Sequence, residues 1–281
     1  MKYHQLINNT GNAMNGLTKR IILLLMALGT LCNTTSVHAI VNGEEATYGD
    51  YPWMVSIQIP SGGGLFHICG GVIWNNNYVV TAAHCMNPSN AGNYRVVAGN
   101  HRMSNTDAYQ VTRSVSSITN HPQYNGNAPG YPNDISVLRL SSALAFNTHV
   151  NSIPFASLGV PIALGSTVTA TGWGRLSGGG SLPNVLQQVD MPVISNSECA
   201  SRWAGIAGAS INSGHICFYE ADAAPASACS GDDGGPAAEL NAGLMAGVGS
   251  WGITSCSGAY PSVYTRVSSF YAWLVGIAGS Q

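Results

Sequence analysis

Short segments of alternating apolar and polar residues recur along this chain and constrain its fold more than any other feature. Residues 55–59 and 167–171 are examples, and clusters rich in glycine, asparagine, serine and proline separate such segments. Alternation with a period of two is typical of strands with one buried face, and frequent turn signals between strands are typical of sandwiches and barrels. The pattern predicts an all-β fold.

Helical periodicity is convincing only near the end of the chain. Apolar residues there follow the i, i+3, i+4, i+7 spacing of one helix face: Val267, Phe270, Tyr271, Leu274 and Ile277. Ser268 and Ser269 are candidate caps for this helix. The glycine-rich stretches 62–64 and 177–181 are too short to separate domains. We predict one domain over residues 40–281, with a single C-terminal α-helix on a β body.

Residues 1–39 have the organisation of an export signal. Residues 1–20 are polar and end in Lys19-Arg20, residues 21–31 are almost wholly apolar, and Val-His-Ala at 37–39 has small residues at the spacing that a signal peptidase recognises. An apolar run of this length is too short for the roughly 20 residues of a spanning helix. We predict a secreted, extracellular protein without a membrane anchor. Both Met1 and Met14 are possible starts of this signal.

Six cysteines follow the signal, whereas Cys32 lies within it. They are Cys69, Cys85, Cys199, Cys217, Cys229 and Cys256. An even number behind an export signal indicates three disulfides in an oxidising compartment, although spacing alone leaves fifteen pairings open. Since no Cys-x-x-Cys motif occurs and His84 and Cys85 are neighbours, we do not predict a zinc site. We expect no other metal and no cofactor.

The charge of the chain does not identify a charged partner. The formal net charge is −2, charged residues make up only 8% of the chain, and there is neither a basic patch nor an acidic tail. Nucleic acid is therefore not an expected partner. We expect a monomer.

Three motifs carry candidate catalytic chemistry, and their order matters more than any one of them. His84 lies in Thr-Ala-Ala-His-Cys, Asp134 in Asn-Asp-Ile-Ser-Val-Leu, and Asp233 in Gly-Asp-Asp-Gly-Gly-Pro. Taken singly, they are consistent with a core histidine, an aspartate at the start of a strand and a tight turn. Together they give a histidine, an aspartate about fifty residues later and a Gly-Asp-x-Gly-Gly-Pro turn about a hundred further on, which is the order of the trypsin and chymotrypsin group.

From residue 40 to the terminal helix, the chain resembles the chymotrypsin/trypsin-like serine protease family. Four further motifs carry this resemblance: Ile-Val-Asn-Gly at 40–43, Cys-Gly-Gly at 69–71, Thr-Gly-Trp-Gly at 171–174 and Ser-Trp-Gly at 250–252. The resemblance implies the chymotrypsin-like fold, in which two six-stranded β-barrels pack together with the active site in the cleft between them. It also implies three disulfides: Cys69–Cys85, Cys199–Cys217 and Cys229–Cys256.

The family's known catalytic roles pass to this chain by position. His84 is expected to be the general base, Asp134 to fix its tautomer and Ser250 to orient Asp134. The backbone N–H groups of Gly231 and residue 233 are expected to form the oxyanion hole.

The resemblance also implies an activation ion pair between Asp232 and the α-ammonium of a chain that begins at Ile40. Many relatives have Arg or Lys before this point, but here Ala39 precedes Ile40. Signal cleavage itself is therefore one route to the mature terminus, and a short propeptide over residues 33–39 is the alternative.

A specificity pocket follows from the same matching of motifs. Ser227 is expected at its floor, and Gly252 and Ser262 on its walls. Since no acidic residue lies at the floor, the resemblance implies a preference for apolar or aromatic side chains, and Ser262 in place of a family glycine is expected to narrow the pocket.

The chain departs from the family at Asp233, where relatives carry the nucleophilic serine. Amide hydrolysis by this route needs a hydroxyl that His84 can deprotonate and that then forms an ester which water can cleave. A carboxylate would have to form a mixed anhydride with an amine as leaving group, which is strongly uphill. We expect Asp233 to act as a fixed negative charge that raises the imidazole pKa, with hydrolysis lower by about 10⁶-fold.

Two hypotheses follow from this departure. The first is a secreted, inactive protease homologue that binds a peptide or protein in its cleft. The second is the inactivated form of an active chymotrypsin- or elastase-like endopeptidase that cleaves after apolar residues. Every serine codon differs from every aspartate codon at two or more bases, so a single misread nucleotide does not produce Asp233, but the sequence leaves open whether the change is natural or engineered.

Overall fold

Two closed β-barrels make up most of the molecule, as the resemblance implied. The structure is a computed structural model, and it describes residues 40–221 and 225–281. The predicted export signal at residues 1–39 lies outside the described residues.

A short strand, β1 (Glu44–Glu45), precedes the first barrel in the chain. The antiparallel strands of this barrel are β2 (Met54–Ser61), β3 (Gly64–Asn75), β4 (Tyr78–Thr81), β5 (Arg95–Ala98), β6 (Val111–Asn120) and β7 (Ser136–Leu140), and they close in the order β2-β3-β4-β7-β6-β5. The alternation predicted at residues 55–59 is confirmed in β2, because Val55 and Ile57 are buried in a core cluster together with Ile73 and Leu138. The period-two pattern thus fills the interior of this barrel.

The second barrel has six strands: β8 (Thr167–Gly172), β9 (Gln187–Ile194), β10 (His215–Phe218), β11 (Pro236–Glu239), β12 (Leu244–Trp251) and β13 (Ser262–Arg266). They close in the order β8-β9-β10-β13-β12-β11, and the short strand β1 (Glu44–Glu45) pairs with the first two residues of β9. Val168 and Ala170, from the alternating segment 167–171, are buried in its core with Phe218 and Tyr264.

The C-terminal helix Val267–Ala278 packs against both barrels through a shared apolar cluster. Phe270 and Leu274 join Trp74 of the first barrel and Val248 of the second in this cluster. The predicted helix is confirmed, but Ile277 is 38% exposed and does not belong to the buried face. The proposed caps are also wrong, because the helix begins at Val267 and both serines lie inside it.

The prediction of a single helix is also wrong. A seven-residue α-helix, Asn196–Arg202, precedes β10, and two 3₁₀ helices span Ala83–Cys85 and Pro88–Asn93. The Ser195 hydroxyl caps the α-helix by accepting a hydrogen bond from the backbone N–H of Glu198. The Ser-x-x-Glu spacing of a capping box was its sequence signal, but two turns are too short for a periodic apolar stripe.

Three disulfides join the cysteines in the pairing that the resemblance implied. They are Cys69–Cys85, Cys199–Cys217 and Cys229–Cys256. The first ties β3 to the 3₁₀ helix that carries His84, so it restrains one wall of the cleft. No helix within the described ranges is long and apolar enough to cross a membrane.

Candidate active site

His84 lies in the 3₁₀ helix that follows β4, and two hydrogen bonds fix it to Asp134. Its backbone N–H donates to Oδ1 of Asp134 at 2.9 Å, and its ring Nδ1 lies 2.7 Å from Oδ2. An ionised carboxylate can only accept hydrogen bonds, so Nδ1 carries a proton in this pair. The other ring nitrogen, Nε2, faces the cleft and lies 3.6 Å from Sγ of Cys85.

Asp134 belongs to the first barrel, but side chains of the second barrel hold it in place. Ser250 on β12 donates its hydroxyl to Oδ2 of Asp134 at 2.7 Å. Thr265 on β13 donates to the backbone carbonyl of Asp134, also at 2.7 Å. Asp134 is only 1% exposed. The predicted partners His84, Asp134 and Ser250 therefore form one hydrogen-bonded chain across the junction of the two barrels.

The glycine-rich turn at residues 231–235 forms the opposite wall of the cleft. Gly231 and Gly234 have positive φ angles of 103° and 75°, a region that glycine enters without steric cost. The carbonyl of Asp233 accepts a hydrogen bond from the N–H of Gly70 on β3 at 2.8 Å. The turn is thus fastened to the first barrel, and this contact sets its distance from His84.

Asp233 projects from this turn towards His84. Its Oδ1 lies 4.0 Å from Nε2 of His84, and its Oδ2 lies 3.5 Å from the backbone nitrogen of Gly231. Its side chain is 34% exposed and that of His84 is 27% exposed. The carboxylate therefore stands between the imidazole and an amide that the resemblance assigns to the oxyanion hole.

The two side chains shift each other's protonation. Burial lowers the pKa of His84, but the hydrogen bond and charge of Asp134, together with the charge of Asp233, outweigh it, so the pKa is raised above its usual value. Burial also raises the pKa of Asp233, and the charge of His84 opposes that shift. This mutual effect favours the pair in which imidazolium and carboxylate are both charged.

Asp232 is buried behind the turn and takes its hydrogen bonds from backbone amides. Its Oδ1 accepts from the N–H of Gly174 at 2.7 Å, and its Oδ2 accepts from the N–H of Cys229 at 2.9 Å. Burial raises its pKa to about 7, since the two amides compensate only part of the lost hydration. Ile40 is fully buried, and its nitrogen is a peptide amide in this uncleaved chain. The expected ion pair requires a chain that begins at Ile40.

A cavity of about 250 Å³ opens beside Asp233 and His84. Gly252 and Ser262 line it as expected, whereas Ser227 is not among its lining residues. Ser227 pairs instead with Val41 through a hydrogen bond from its backbone N–H at 3.3 Å. Ser262 lines the cavity, and its hydroxyl accepts a hydrogen bond from the N–H of Ala228 at 3.1 Å.

Two further residues, Tyr131 and His67, surround this site without having been predicted from the sequence. Tyr131, which has a φ of 45°, lines the cavity with its ring centre 6.2 Å from that of His84. His67 lies beneath the turn, where Nε2 donates to the carbonyl of Gly231 at 2.9 Å and Nδ1 accepts from Ser56 at 2.8 Å. Burial lowers the pKa of His67 to about 4, which keeps the ring neutral. Its only sequence signal was a histidine in an apolar strand, two residues before Cys69.

One group of potential metal ligands occurs near the site, but it cannot bind a metal as a group. The sulfurs of Cys69 and Cys85 and a ring nitrogen of His84 lie within 4.8 Å of one another. Both sulfurs are bonded in a disulfide, so neither is available as a thiolate ligand.

Two β-barrels with a hydrogen-bonded histidine and aspartate at their junction form the framework of a serine peptidase, and this framework defines the class of the protein. Sequence comparison agrees, since residues 40–274 match the family model for trypsin. The chymotrypsin-like serine proteinase of Haliotis rufescens is 48% identical over 90% of this chain and 98% of its own length. The fibrinolytic enzyme isozyme C of Lumbricus rubellus is 34% identical over 84% of this chain and 98% of its own length. Trypsin alpha of Drosophila melanogaster is 39% identical over 86% of this chain and 88% of its own length. The chain belongs to the trypsin family.

Proposed function

We propose that this chain is a secreted, proteolytically inactive member of the trypsin family that binds a peptide segment in its cleft. The observation that carries the proposal is the carboxylate of Asp233, which faces Nε2 of His84 at 4.0 Å where catalysis requires a hydroxyl.

Chemistry argues against turnover by Asp233. A carboxylate that attacked a peptide carbonyl would form a mixed anhydride and expel an amine, and the reverse attack of the amine on the anhydride is far easier. The charge of Asp233 also contributes to the raised pKa of His84, which makes the ring less available as a general base. The same replacement thus removes the nucleophile and weakens the base.

The position of Asp233 also disfavours the tetrahedral intermediate. Its Oδ2 lies 3.5 Å from the nitrogen of Gly231, close to where a developing oxyanion would seek its donors. A second negative charge beside this point raises the energy of the intermediate. The unreacted carbonyl of a bound peptide carries no full charge, so ground-state binding loses much less than catalysis does.

The features that support peptide binding are retained. The cavity next to Asp233 includes Trp251, Gly252 and Ile253 and has room for an apolar side chain. No lysine or arginine lies among its lining residues in the part of the chain that the structure describes. We propose an apolar or aromatic residue of the bound peptide as the occupant of this cavity.

Secretion is part of the proposal. Residues 1–39 have the composition of an export signal, and three disulfides suit an oxidising compartment. We propose that the mature protein begins at Ile40. N-terminal sequencing of secreted protein tests this step, and any other first residue contradicts it.

A second candidate is the inactivated form of an endopeptidase that was otherwise competent. The distances favour it, because Ser250, Asp134 and His84 are joined by two hydrogen bonds of 2.7 Å that a binding protein has no evident need to keep. The Haliotis rufescens relative is named a chymotrypsin-like serine proteinase, which suggests a preference for cleavage after apolar residues.

One set of variants separates these candidates. The secreted chain, with its N-terminus verified, is assayed beside Asp233→Ser and Asp233→Ala on peptides with an apolar residue before the scissile bond. Both candidates expect the unaltered chain and Asp233→Ala to be inactive. Hydrolysis by Asp233→Ser supports the inactivated endopeptidase, whereas its absence supports a cleft adapted to binding.

Peptide binding is measured on the same proteins by fluorescence anisotropy. We expect the unaltered chain to bind such peptides, and Asp233→Ala to bind at least as tightly because it lacks the charge but keeps the cavity. Prompt hydrolysis by the unaltered chain, blocked by reagents that modify active serines, contradicts the proposal. Failure of both the unaltered chain and Asp233→Ala to bind peptide contradicts the binding role.

A further inference from the structure

His84 and Asp233 present a nitrogen and an oxygen ligand atom to the same open cavity. Nε2 of His84 and Oδ1 of Asp233 are 4.0 Å apart, and both side chains are about one third exposed, at 27% and 34%. Both residues line the cavity of about 250 Å³, so an ion from solvent has access to them. A family member with serine at residue 233 would lack the carboxylate ligand.

The support of His84 matches that of a histidine in a metal site. Histidines that bind metals commonly donate their other ring N–H to a carboxylate, which fixes the tautomer and makes the ligating nitrogen more basic. Here Nδ1 of His84 is held at 2.7 Å by Asp134, which Ser250 orients at 2.7 Å in turn. Once Nε2 has lost its proton, these two bonds already fix the direction of its lone pair.

The charge around the cavity favours a cation. The carboxylate of Asp233 faces the cavity, and the carboxylate of Asp134 lies on the other side of the His84 ring, 2.7 Å from Nδ1. Among the described lining residues, only His84 can supply a positive charge. With a neutral imidazole the site carries excess negative charge, which a divalent cation neutralises.

We propose that His84 Nε2 and Asp233 Oδ1 bind one zinc ion, with water in the remaining coordination positions. The inference rests on the proposed function, because it needs Asp233 as a carboxylate and a histidine not engaged as a general base. Tetrahedral zinc with bonds of about 2.0–2.2 Å places two ligand atoms roughly 3.3–3.4 Å apart. The two side chains must therefore approach each other by roughly 0.6 Å, which their partial exposure allows.

The ligand chemistry selects zinc over calcium and magnesium. Calcium and magnesium prefer sites made of oxygen atoms alone, whereas imidazole with one carboxylate suits zinc. The water-bearing positions of the ion face the cavity, where the cleft ligand binds. A carbonyl or carboxylate oxygen of that ligand is able to replace one water, so zinc joins the ligand to the floor of the cleft.

Isothermal titration calorimetry with zinc chloride at about pH 8, where the ring is more readily neutral, tests this inference. The unaltered secreted chain is compared with Asp233→Asn, which keeps the shape and removes the charge, and with His84→Gln. His149→Asn is the matched control, since His149 is a partly exposed histidine that does not line the cavity. Thermal unfolding verifies that each variant is folded.

We expect one zinc ion per chain, bound at least about tenfold more weakly by Asp233→Asn and by His84→Gln and unchanged by His149→Asn. Cobalt substitution provides a second readout, because a four-coordinate site gives intense visible absorption that both variants should lose. Equal affinity in the unaltered chain and Asp233→Asn overturns the inference, as does the absence of binding at about 1 mM zinc.

Measuring peptide binding with and without a chelator keeps the two proposals apart. If peptide binds in the chelator and zinc does not bind at all, the zinc inference fails and the proposed function stands. If the unaltered chain hydrolyses peptides, the proposed function fails whatever the zinc titration shows.

Discussion

Nε2 of His84 faces Oδ1 of Asp233 across 4.0 Å, while Nδ1 of the same ring donates to Asp134 at 2.7 Å. The imidazole therefore lies between two carboxylates. In a serine peptidase the ring has one charged neighbour and takes a proton only during the reaction. Here the second carboxylate stabilises the protonated ring in the resting protein.

The first prediction concerns the pKa of His84. Replacing Asp233 by Asn removes a negative charge but keeps the size of the side chain, so we expect the pKa of His84 to fall, because Asp233 contributes to its raised value. A pH titration of the ring by NMR measures the change. His121 is the internal reference, and its pKa, lowered by burial, should not move. An unchanged His84 pKa in Asp233→Asn means that the two side chains do not form an ion pair.

The second prediction concerns the stability of the uncleaved chain. Burial raises the pKa of Asp232 from 3.8 to about 7. Below pH 3.8 the carboxyl is protonated in both the folded and the unfolded chain, so it does not favour either. As the pH rises from about 4 to 7, the Asp232 carboxyl ionises in the unfolded chain but stays protonated in the folded one. The free energy of unfolding therefore falls by a few kcal/mol, on the order given by 1.36 kcal/mol per pKa unit. Above about pH 7 the loss is complete.

Urea denaturation at several pH values measures this slope, with Asp232→Asn as the comparison. The amide does not titrate, so the variant should lack this contribution, although it loses a hydrogen bond to Gly174 or Cys229 at every pH. In a chain that begins at Ile40, an ammonium paired with Asp232 lowers the pKa of the carboxyl and weakens or reverses the slope. Equal slopes in the uncleaved chain and in its Asp232→Asn variant contradict the prediction.

The barrels were predictable because alternating apolar residues and turn signals are local features that recur along the chain. Alternation at residues 55–59 and 167–171 indicated strands with one buried face, and both segments became strands. Their polar faces are buried as well, since Ser56 is 0% and Thr169 is 5% exposed. The pairing of the cysteines was not derivable from spacing and came from the resemblance. The helix Asn196–Arg202 was missed because only Cys199 of its seven residues is buried, so it carries no apolar stripe.

The cleft was predictable only in part. The order of His84 and Asp134 along the chain indicated a pair, and the two residues meet in the structure. The resemblance placed Ser227 at the pocket floor, but Ser227 is not among the residues that line the cavity, and its backbone N–H bonds to the carbonyl of Val41. Val41 is far away along the chain, so no local pattern encodes this contact. The closeness of Asp233 and His84 is likewise set by the bond from Gly70 to the turn.

The third prediction concerns the size of the cavity. Ser262→Gly removes a side chain that lines the cavity, and it is made in the Asp233→Ser variant if that variant is active. We expect kcat/KM for peptides with phenylalanine before the scissile bond to rise about tenfold relative to kcat/KM for peptides with alanine there. A change of this order is typical of a small change in pocket volume. If the Asp233→Ser variant is inactive, the affinities for the phenylalanine and alanine peptides are compared instead. Ser227→Gly is the control, because Ser227 does not line the cavity. If Ser227→Gly changes the preference as much as Ser262→Gly does, the cavity extends beyond Ser262.

The last prediction concerns the turn that carries Asp233. Gly234 has a φ of 75°, and a Cβ atom on it would overlap Thr81 Oγ1 and lie 2.6 Å from the carbonyl oxygen of Gly70. We expect Gly234→Ala to lower the free energy of unfolding by at least about 2 kcal/mol, because backbone strain and steric overlap add. Gly92→Ala is the matched control, since its Cβ would meet no atom within 4 Å and its φ is not positive.

Urea denaturation of both glycine variants gives the two free energies, and NMR of His84 in folded Gly234→Ala reports on the cleft. The Gly70 carbonyl that a new Cβ would push belongs to the residue whose N–H holds the carbonyl of Asp233 at 2.8 Å. Displacing that contact should move Asp233 away from His84, so the pKa of His84 should fall as it does in Asp233→Asn. A destabilised variant with an unchanged His84 pKa would show that the turn and the ion pair are independent. Equal stability of the two alanine variants would show that the turn accepts a side chain at residue 234.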